Sequence, residues 1–115
     1  MVQKFIPLSV PCLKGNELKY VTEAIETEWV STGGSFITDF EKKFAGYINS
    51  ECVAVQSGTA ALHLAYLQAG VRQDDLVICP TLTFIAAVNP IKYLNAKPVF
   101  IDCDDSLCID PDKIK

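Results

Sequence analysis

Ser57-Gly58-Thr59 lies between a short β-rich run and an apolar helix-like run, a position where small polar residues can bind an anion. The first backbone N–H groups of a helix have no partners inside the helix and carry partial positive charge. A glycine there allows an anion to approach the backbone closely, and the flanking hydroxyls add donors. The tripeptide therefore predicts a phosphate site, although Ser and Thr also begin helices as ordinary N-caps.

Phe84 ends a second short loop, Pro80–Phe84, which follows the next strand-like run. An aromatic side chain at a junction between a loop and a helix can stack on a flat heteroaromatic ring, or it can pack against its own helix. Taken together, a phosphate site and a ring-stacking site indicate a phosphorylated planar cofactor, and pyridoxal phosphate (PLP) fits that description. Neither a Walker loop nor a G-x-G-x-x-G fingerprint occurs in the sequence.

The elements that position these loops alternate between strands and helices, which predicts βαβ units, a mainly parallel sheet and an α/β fold. The strand-like runs are apolar throughout, so we expect the sheet to be covered by helices on both faces. Ligands of such sheets bind beyond the carboxyl ends of the strands, which selects the turns at 56–59 and 80–84 and the segment after Asp102. The predicted strands are 51–56, 76–79 and 98–102, and the predicted helices of this region are 60–69 and 85–93.

Residues 1–50 have a different pattern and precede the βαβαβ region at 51–115. The stretch Ile6–Gly15 contains two prolines and reads as an extended arm. Asn16 is placed to cap a helix over 17–28, and an aromatic stripe predicts a second helix over 35–47. We expect that stripe to be core. It consists of Phe36, Phe40, Phe44 and Tyr47.

Composition excludes several classes of protein. Half of the 115 residues are hydrophobic, the net charge is −4, and no basic stripe indicates nucleic-acid binding. No run reaches membrane-spanning length and the N-terminus has no signal-peptide pattern, so a cytoplasmic location is expected. The five cysteines form no C-x-x-C pair, which argues against a metal site and favours reduced, mostly buried thiols.

The chain resembles the DegT/DnrJ/EryC1/StrS aminotransferases, which are PLP-dependent enzymes of fold type I. The resemblance covers nearly the whole sequence in the expected order, and its most specific element is the strand and turn at 54–63. The other matching segments are Ile6-Pro7-Leu8, Glu28–Gly33, Phe40–Ala45, Thr83–Asn89 and Pro98–Asp102. The resemblance implies that the chain is the N-terminal part of the large domain of such an enzyme.

Residue roles follow from the resemblance by position. Ser57, Gly58 and Thr59 would bind the cofactor phosphate, and Phe84 would stack on the pyridine ring. Ser31, Thr32 and Gly33 would lie near the sugar substrate or a dimer partner. His63 falls on the helix after the phosphate turn and is given no catalytic role.

The family also implies a reaction. An amino group would pass from an amino-acid donor such as glutamate to a nucleotide-linked keto-deoxysugar, for surface polysaccharide, in a homodimer. The Schiff-base lysine and the Asp beside the pyridine nitrogen lie downstream in the family, and none of the nine lysines here matches that position. We therefore expect a fragment that is poorly soluble and inactive by itself. A non-catalytic relative of the same fold and another fold-type-I enzyme, such as a lyase or desulfurase, remain alternatives.

Overall fold

The computed structural model describes residues 5–31 and 33–114, and the chain divides into two compact units between Ala54 and Val55. The described residues form four α-helices, two β-strands and one 3₁₀ turn, and none of these helices is long and apolar enough to cross a membrane. The elements are α1 (Glu17–Glu26), α2 (Ser35–Ile48), α3 (Gly58–Gln68), β1 (Leu76–Pro80), α4 (Ile85–Tyr93), β2 (Lys97–Ile101) and the 3₁₀ turn Pro111–Lys113.

In the first unit, α1 and α2 match the two predicted helices, with α1 ending two residues early. The ring of Tyr20 on α1 meets Phe36 on α2 edge-on, with 6.0 Å between the centroids. Asn16 occupies the N-cap position of α1, but its side chain makes no capping hydrogen bond. Instead the carboxylate of Glu17 accepts the Gly15 N–H at 2.8 Å, which stabilises the same helix end.

The aromatic stripe of α2 forms as expected, but the prediction that it is core is wrong for this unit. Phe40 and Phe44 stack with centroids 5.7 Å apart, and Phe44 and Tyr47 follow at 6.4 Å. Their side chains nevertheless remain 56%, 45% and 86% exposed. The rings contact one another along a single helix, and no other element of the unit's described residues covers them.

The predicted strand at 51–56 does not form. A strand exists only through hydrogen bonds to a neighbouring strand, and no described strand pairs with this segment. The Ala54 N–H donates to Glu41 Oε1 at 2.8 Å, and the Cys52 thiol donates to the Glu41 carbonyl at 3.0 Å. The segment is therefore held by α2 rather than by a sheet.

The second unit contains β1, α4 and β2 in a βαβ arrangement, which confirms two of the three predicted strands and both predicted helices. The strands are parallel, with Leu76 opposite Lys97 and Pro80 opposite Ile101. α3 packs on α4, where the Tyr66 hydroxyl donates to the Ala87 carbonyl at 3.0 Å.

The core of this unit lies between α4 and the covered face of the sheet. Ile91 is fully buried, and the neighbouring Pro90 ring is buried with it inside the helix. Cys79 on β1 is 2% exposed and packs in the same cluster. The other buried members are Val88 and Ala96, with Tyr66, Val71 and Val77 packed against them.

The expectation that both faces of the sheet are buried is wrong for the described residues. Cys79 faces α4, whereas Leu76 and Ile78, which alternate with it on β1, are 70% and 47% exposed. Phe100 on β2 pairs with Cys79 and shares its face, yet it is 54% exposed, so α4 covers that face only in part. The strands are apolar on both faces, but α4 covers one of them.

The five cysteines are free thiols, and the expectation that most are buried is also wrong. Only Cys79 is buried, and burial raises the pKa of its thiol. Cys12 and Cys108 are exposed, while Cys52 and Cys103 are half-buried. Cys12 lies in the arm and Cys108 in the segment after β2, whereas Cys52 lies against α2, where its thiol donates to the Glu41 carbonyl.

Candidate functional site

The turn Ser57–Thr59 opens α3 and leaves two backbone donors without partners. Ser57 is the N-cap residue, in extended backbone conformation, and its hydroxyl oxygen accepts the Ala60 N–H at 3.2 Å. The Ser57 carbonyl accepts the Ala61 N–H at 3.0 Å. Within residues 5–31 and 33–114, the N–H groups of Gly58 and Thr59 have no acceptor. The ordinary capping role of Ser57 and a pair of free donors thus coexist in one turn.

Gly58 stands beside open space. A Cβ built at this position would meet no atom within 4 Å, and the backbone is helical rather than left-handed. Neither packing nor conformation therefore requires glycine here. The space that a side chain would fill lies next to the two free N–H groups, and this suits a phosphate approaching the helix N-terminus.

Phe84 is the N-cap residue of α4 and projects into solvent. Its side chain is 87% exposed, so the alternative of a core phenylalanine does not hold in this unit. With Leu82 and Thr83 it lines an open concavity of about 500 Å³. An exposed aromatic ring beside a concavity can cover one face of a planar ligand.

The carboxyl ends of β1 and β2 meet at one edge, as expected for parallel strands. The Thr81 N–H donates to the Ile101 carbonyl at 2.9 Å, which continues the pairing one residue beyond β1. The Thr81 hydroxyl and Asp102 Oδ1 are 3.4 Å apart. The 80–84 loop and the segment after Asp102 are therefore adjacent. The third expected loop, 56–59, has no strand before it and is not anchored at this edge by pairing.

Asp102 is a site feature that the sequence indicated only as the end of a strand. Its Oδ2 forms an ion pair with Lys113 Nζ at 3.2 Å, and the Cys103 N–H donates to its Oδ1 at 2.9 Å. The Cys103 N–H and Lys113 lower the pKa of the Asp102 carboxyl, so it is ionised at neutral pH. The distant Lys113 has no sequence signal that links it to Asp102.

The predicted sugar-binding loop belongs to the first unit. Ser31 borders a concavity of about 650 Å³, whose wall includes Tyr20, Trp29 and Phe40. Trp29 packs over the glycine pair, because a Cβ at Gly33 would lie 3.5 Å from its ring and a Cβ at Gly34 would lie 3.4 Å from its Cβ. Thr32 lies outside the described residues.

The structure brings some of the predicted residues together and leaves others apart. Ser57, Gly58 and Thr59 are contiguous, and no hydrogen bond or ring contact in the described chain joins them to Phe84. His63 meets Tyr93 edge-on, with centroids 5.6 Å apart, which supports a packing role. No group of three or more potential metal ligands occurs within the described ranges.

The sequence profile of the DegT/DnrJ/EryC1/StrS aminotransferase family matches residues 11–115. The chain belongs to this family. The α/β fold expected from the sequence is confirmed, because the similar solved structures are fold-type-I PLP-dependent aminotransferases.

Two relatives and one solved structure show which proteins this chain is similar to. GDP-perosamine synthase of Escherichia coli O157:H7 is 47% identical over 103 residues, 89% of this chain and 28% of the relative. The spore coat polysaccharide biosynthesis protein SpsC of Bacillus subtilis is 42% identical over 120 residues, 100% of this chain and 31% of the relative. Spr1654 of Streptococcus pneumoniae, described as a sugar aminotransferase and solved in its PLP form, superposes with a TM-score of 0.82 at 30% identity. That match covers 95% of this chain and 28% of Spr1654. The chain thus spans about a third or less of the length of these proteins.

Proposed function

We propose that this chain forms the cofactor-phosphate part of a PLP-dependent aminotransferase that acts on a nucleotide-linked keto-deoxysugar. The observation that carries the proposal is the pair of free N–H groups at Gly58 and Thr59 at the start of α3, together with the open space at the Cβ position of Gly58. A phosphate monoester satisfies both donors and interacts favourably with the helix dipole. Family membership supports PLP as the molecule that carries this phosphate.

PLP, when bound, supplies an electron sink that lets an amino group exchange with a carbonyl oxygen. The residues of this chain hold and orient it. Gly58 and Thr59 donate their N–H groups to the phosphate, and the Ser57 hydroxyl can donate a third hydrogen bond while its oxygen caps α3. Phe84 covers one face of the ring and excludes water from it.

The substrate class is a GDP-linked 4-keto-6-deoxyhexose, with an amino acid such as glutamate as donor. The 47% identity to GDP-perosamine synthase and the polysaccharide role named for SpsC support this choice. Ser31, Thr32 and Gly33 would contact the sugar, and the concavity beside Ser31 offers aromatic surface and a hydroxyl for that purpose. We further propose a homodimer in the cytoplasm.

The test begins with the gene beyond codon 115. A frame that continues to an Asp and then a Ser followed by a Lys supports the aminotransferase, and a stop codon supports the non-catalytic alternative. The natural gene product is then incubated with PLP, glutamate and the GDP-linked keto sugar. Mass spectrometry should show an amino sugar together with one equivalent of 2-oxoglutarate. Bound PLP without any amino sugar from this substrate would contradict the proposed substrate class.

Replacing Phe84 by Ala should weaken PLP binding by about twofold to tenfold, since an aromatic stacking contact contributes about 0.5–1.5 kcal/mol. The free energy of unfolding should change by less than about 0.5 kcal/mol, because this exposed side chain packs in no core. PLP titration followed by absorbance, alongside denaturation, measures both quantities. Phe5→Ala is the matched control, because Phe5 is 86% exposed and Phe84 is 87% exposed. Equal PLP affinities for the two variants would show that Phe84 is not part of the PLP site.

A further inference from the structure

Asp102 connects two segments that leave the carboxyl ends of the strands. Its Oδ1 accepts the Cys103 N–H at 2.9 Å and the Thr81 hydroxyl at 3.4 Å. Its Oδ2 pairs with Lys113 Nζ at 3.2 Å, and its carbonyl accepts the Asp110 N–H at 3.0 Å. One residue therefore joins the loop after β1 to the turn after β2.

The loop after β1 has few other attachments. Thr81 is held by its N–H, which donates to Ile101, and by its hydroxyl at Asp102. Leu82 and Thr83 make no hydrogen bond with any residue that the structure describes. Thr81 is thus the last anchored position before Phe84, which begins α4.

The charge of Asp102 determines which group donates the hydrogen bond between Thr81 and Asp102. The pKa of the Asp102 carboxyl is lowered, first by the Cys103 N–H and then by Lys113, so the carboxylate is ionised and accepts only. The Thr81 hydroxyl must therefore donate to it. Lys113 is also 3.6 Å from Asp110 Oδ2, which holds its ammonium group beside Asp102.

We propose that Asp102 is a positioning residue that fixes the 81–83 loop through Thr81 and thereby determines where Phe84 stands for the cofactor ring. The inference rests on the proposed function, because Phe84 acts on a ring only if PLP binds there. Lys113 supports the arrangement by keeping the Asp102 carboxylate at the strand end. In the competing interpretation, Asp102 organises only the 103–114 turn, and its contact with Thr81 has no consequence for Phe84.

The first measurement needs no cofactor. Hydrogen exchange of the amides at residues 81 and 87, whose N–H groups donate to the carbonyls of Ile101 and Phe84, is compared in the natural gene product and its Thr81→Val and Asp102→Asn variants. Loss of the anchoring hydrogen bond should speed exchange in Thr81→Val by at least about twofold. Thr83→Val is the matched control, because Thr83 lies on the same loop and its hydroxyl has no partner among the described residues. Exchange in Thr81→Val equal to that in Thr83→Val would overturn the inference.

The second measurement asks whether the effect passes through Phe84. Thr81→Val should weaken PLP binding by about twofold or more in the wild-type background and should have no further effect in Phe84→Ala. An effect of equal size in both backgrounds would show that Thr81 does not act through Phe84 and would overturn the proposal. Lys113→Met should reproduce part of the loss, whereas Lys92→Met, on the exposed surface of α4, should not. If the wild-type protein binds no PLP, the proposed function fails, while the exchange experiment still decides whether Asp102 fixes the loop.

Discussion

Gly58→Ala should weaken PLP binding by about tenfold or more, because a methyl group would occupy the space through which the phosphate reaches two charge-assisted backbone donors. The same substitution should leave the free energy of unfolding unchanged or slightly raised. The added Cβ would meet no atom of the chain within 4 Å, and alanine is the better helix former. A loss of PLP affinity without a loss of stability is the result expected for a glycine whose role is to leave room for a ligand. Titration with PLP and urea denaturation measure the two quantities separately.

Gly46→Ala is the matched control for this experiment. Gly46 lies inside α2, and a Cβ there would also meet no atom within 4 Å. The substitution should raise the free energy of unfolding by about 0.5–1 kcal/mol and leave PLP affinity unchanged. Should Gly58→Ala bind PLP as tightly as Gly46→Ala, the start of α3 would not be the phosphate site.

Ile91→Ala should lower the free energy of unfolding by about 2–5 kcal/mol, because it removes a fully buried side chain and leaves a cavity. Ile91 is 0% exposed and lies in one cluster with Cys79, Val88 and Ala96. The cluster joins α4 to the sheet, so its loss affects the whole second unit. Denaturant unfolding of the natural gene product measures the change as a shift in midpoint.

Ile85→Ala, on the same helix, is the control for Ile91→Ala. Ile85 is 66% exposed, so its truncation should change the free energy of unfolding by less than about 0.5 kcal/mol. A change below about 1 kcal/mol for Ile91→Ala would mean that the α4 cluster is not the stabilising core of this unit.

Local sequence patterns predicted most of the elements. Helices at 35–47 and 85–93 were expected and are found at Ser35–Ile48 and Ile85–Tyr93. The apolar residues that repeat along each helix and the residues that begin and end it are close together in the sequence. Local patterns are therefore enough to predict these two helices. The strands expected at 76–79 and 98–102 are found at Leu76–Pro80 and Lys97–Ile101, and they were predicted for a similar reason, as β-rich runs that flank a helix. α3 begins two residues earlier than the predicted start at residue 60, because Ser57 is the N-cap.

The failures concern pairing and burial. The run at 51–56 has β-rich composition, yet its Ala54 N–H bonds to Glu41 and no described strand lies beside it. Similarly, the apolar composition of Leu76 and Ile78 predicted a covered face that remains exposed. An apolar side chain can be buried, but it is buried only where another element of the structure packs against it. The residue type alone does not show whether such an element is present.

The sequence by itself determined the family, the α/β class and the glycine-containing turn at 57–59, because each depends on residues that are close along the chain or in a characteristic order. Tertiary structure decided that Gly58 faces open space and that Phe84 is exposed. It also decided that Asp102 reaches both Thr81 and Lys113, which lie 21 and 11 residues away in sequence. Such contacts depend on the parallel register of β1 and β2 and on the turn after β2, and no local propensity encodes the distance between two side chains so far apart along the chain.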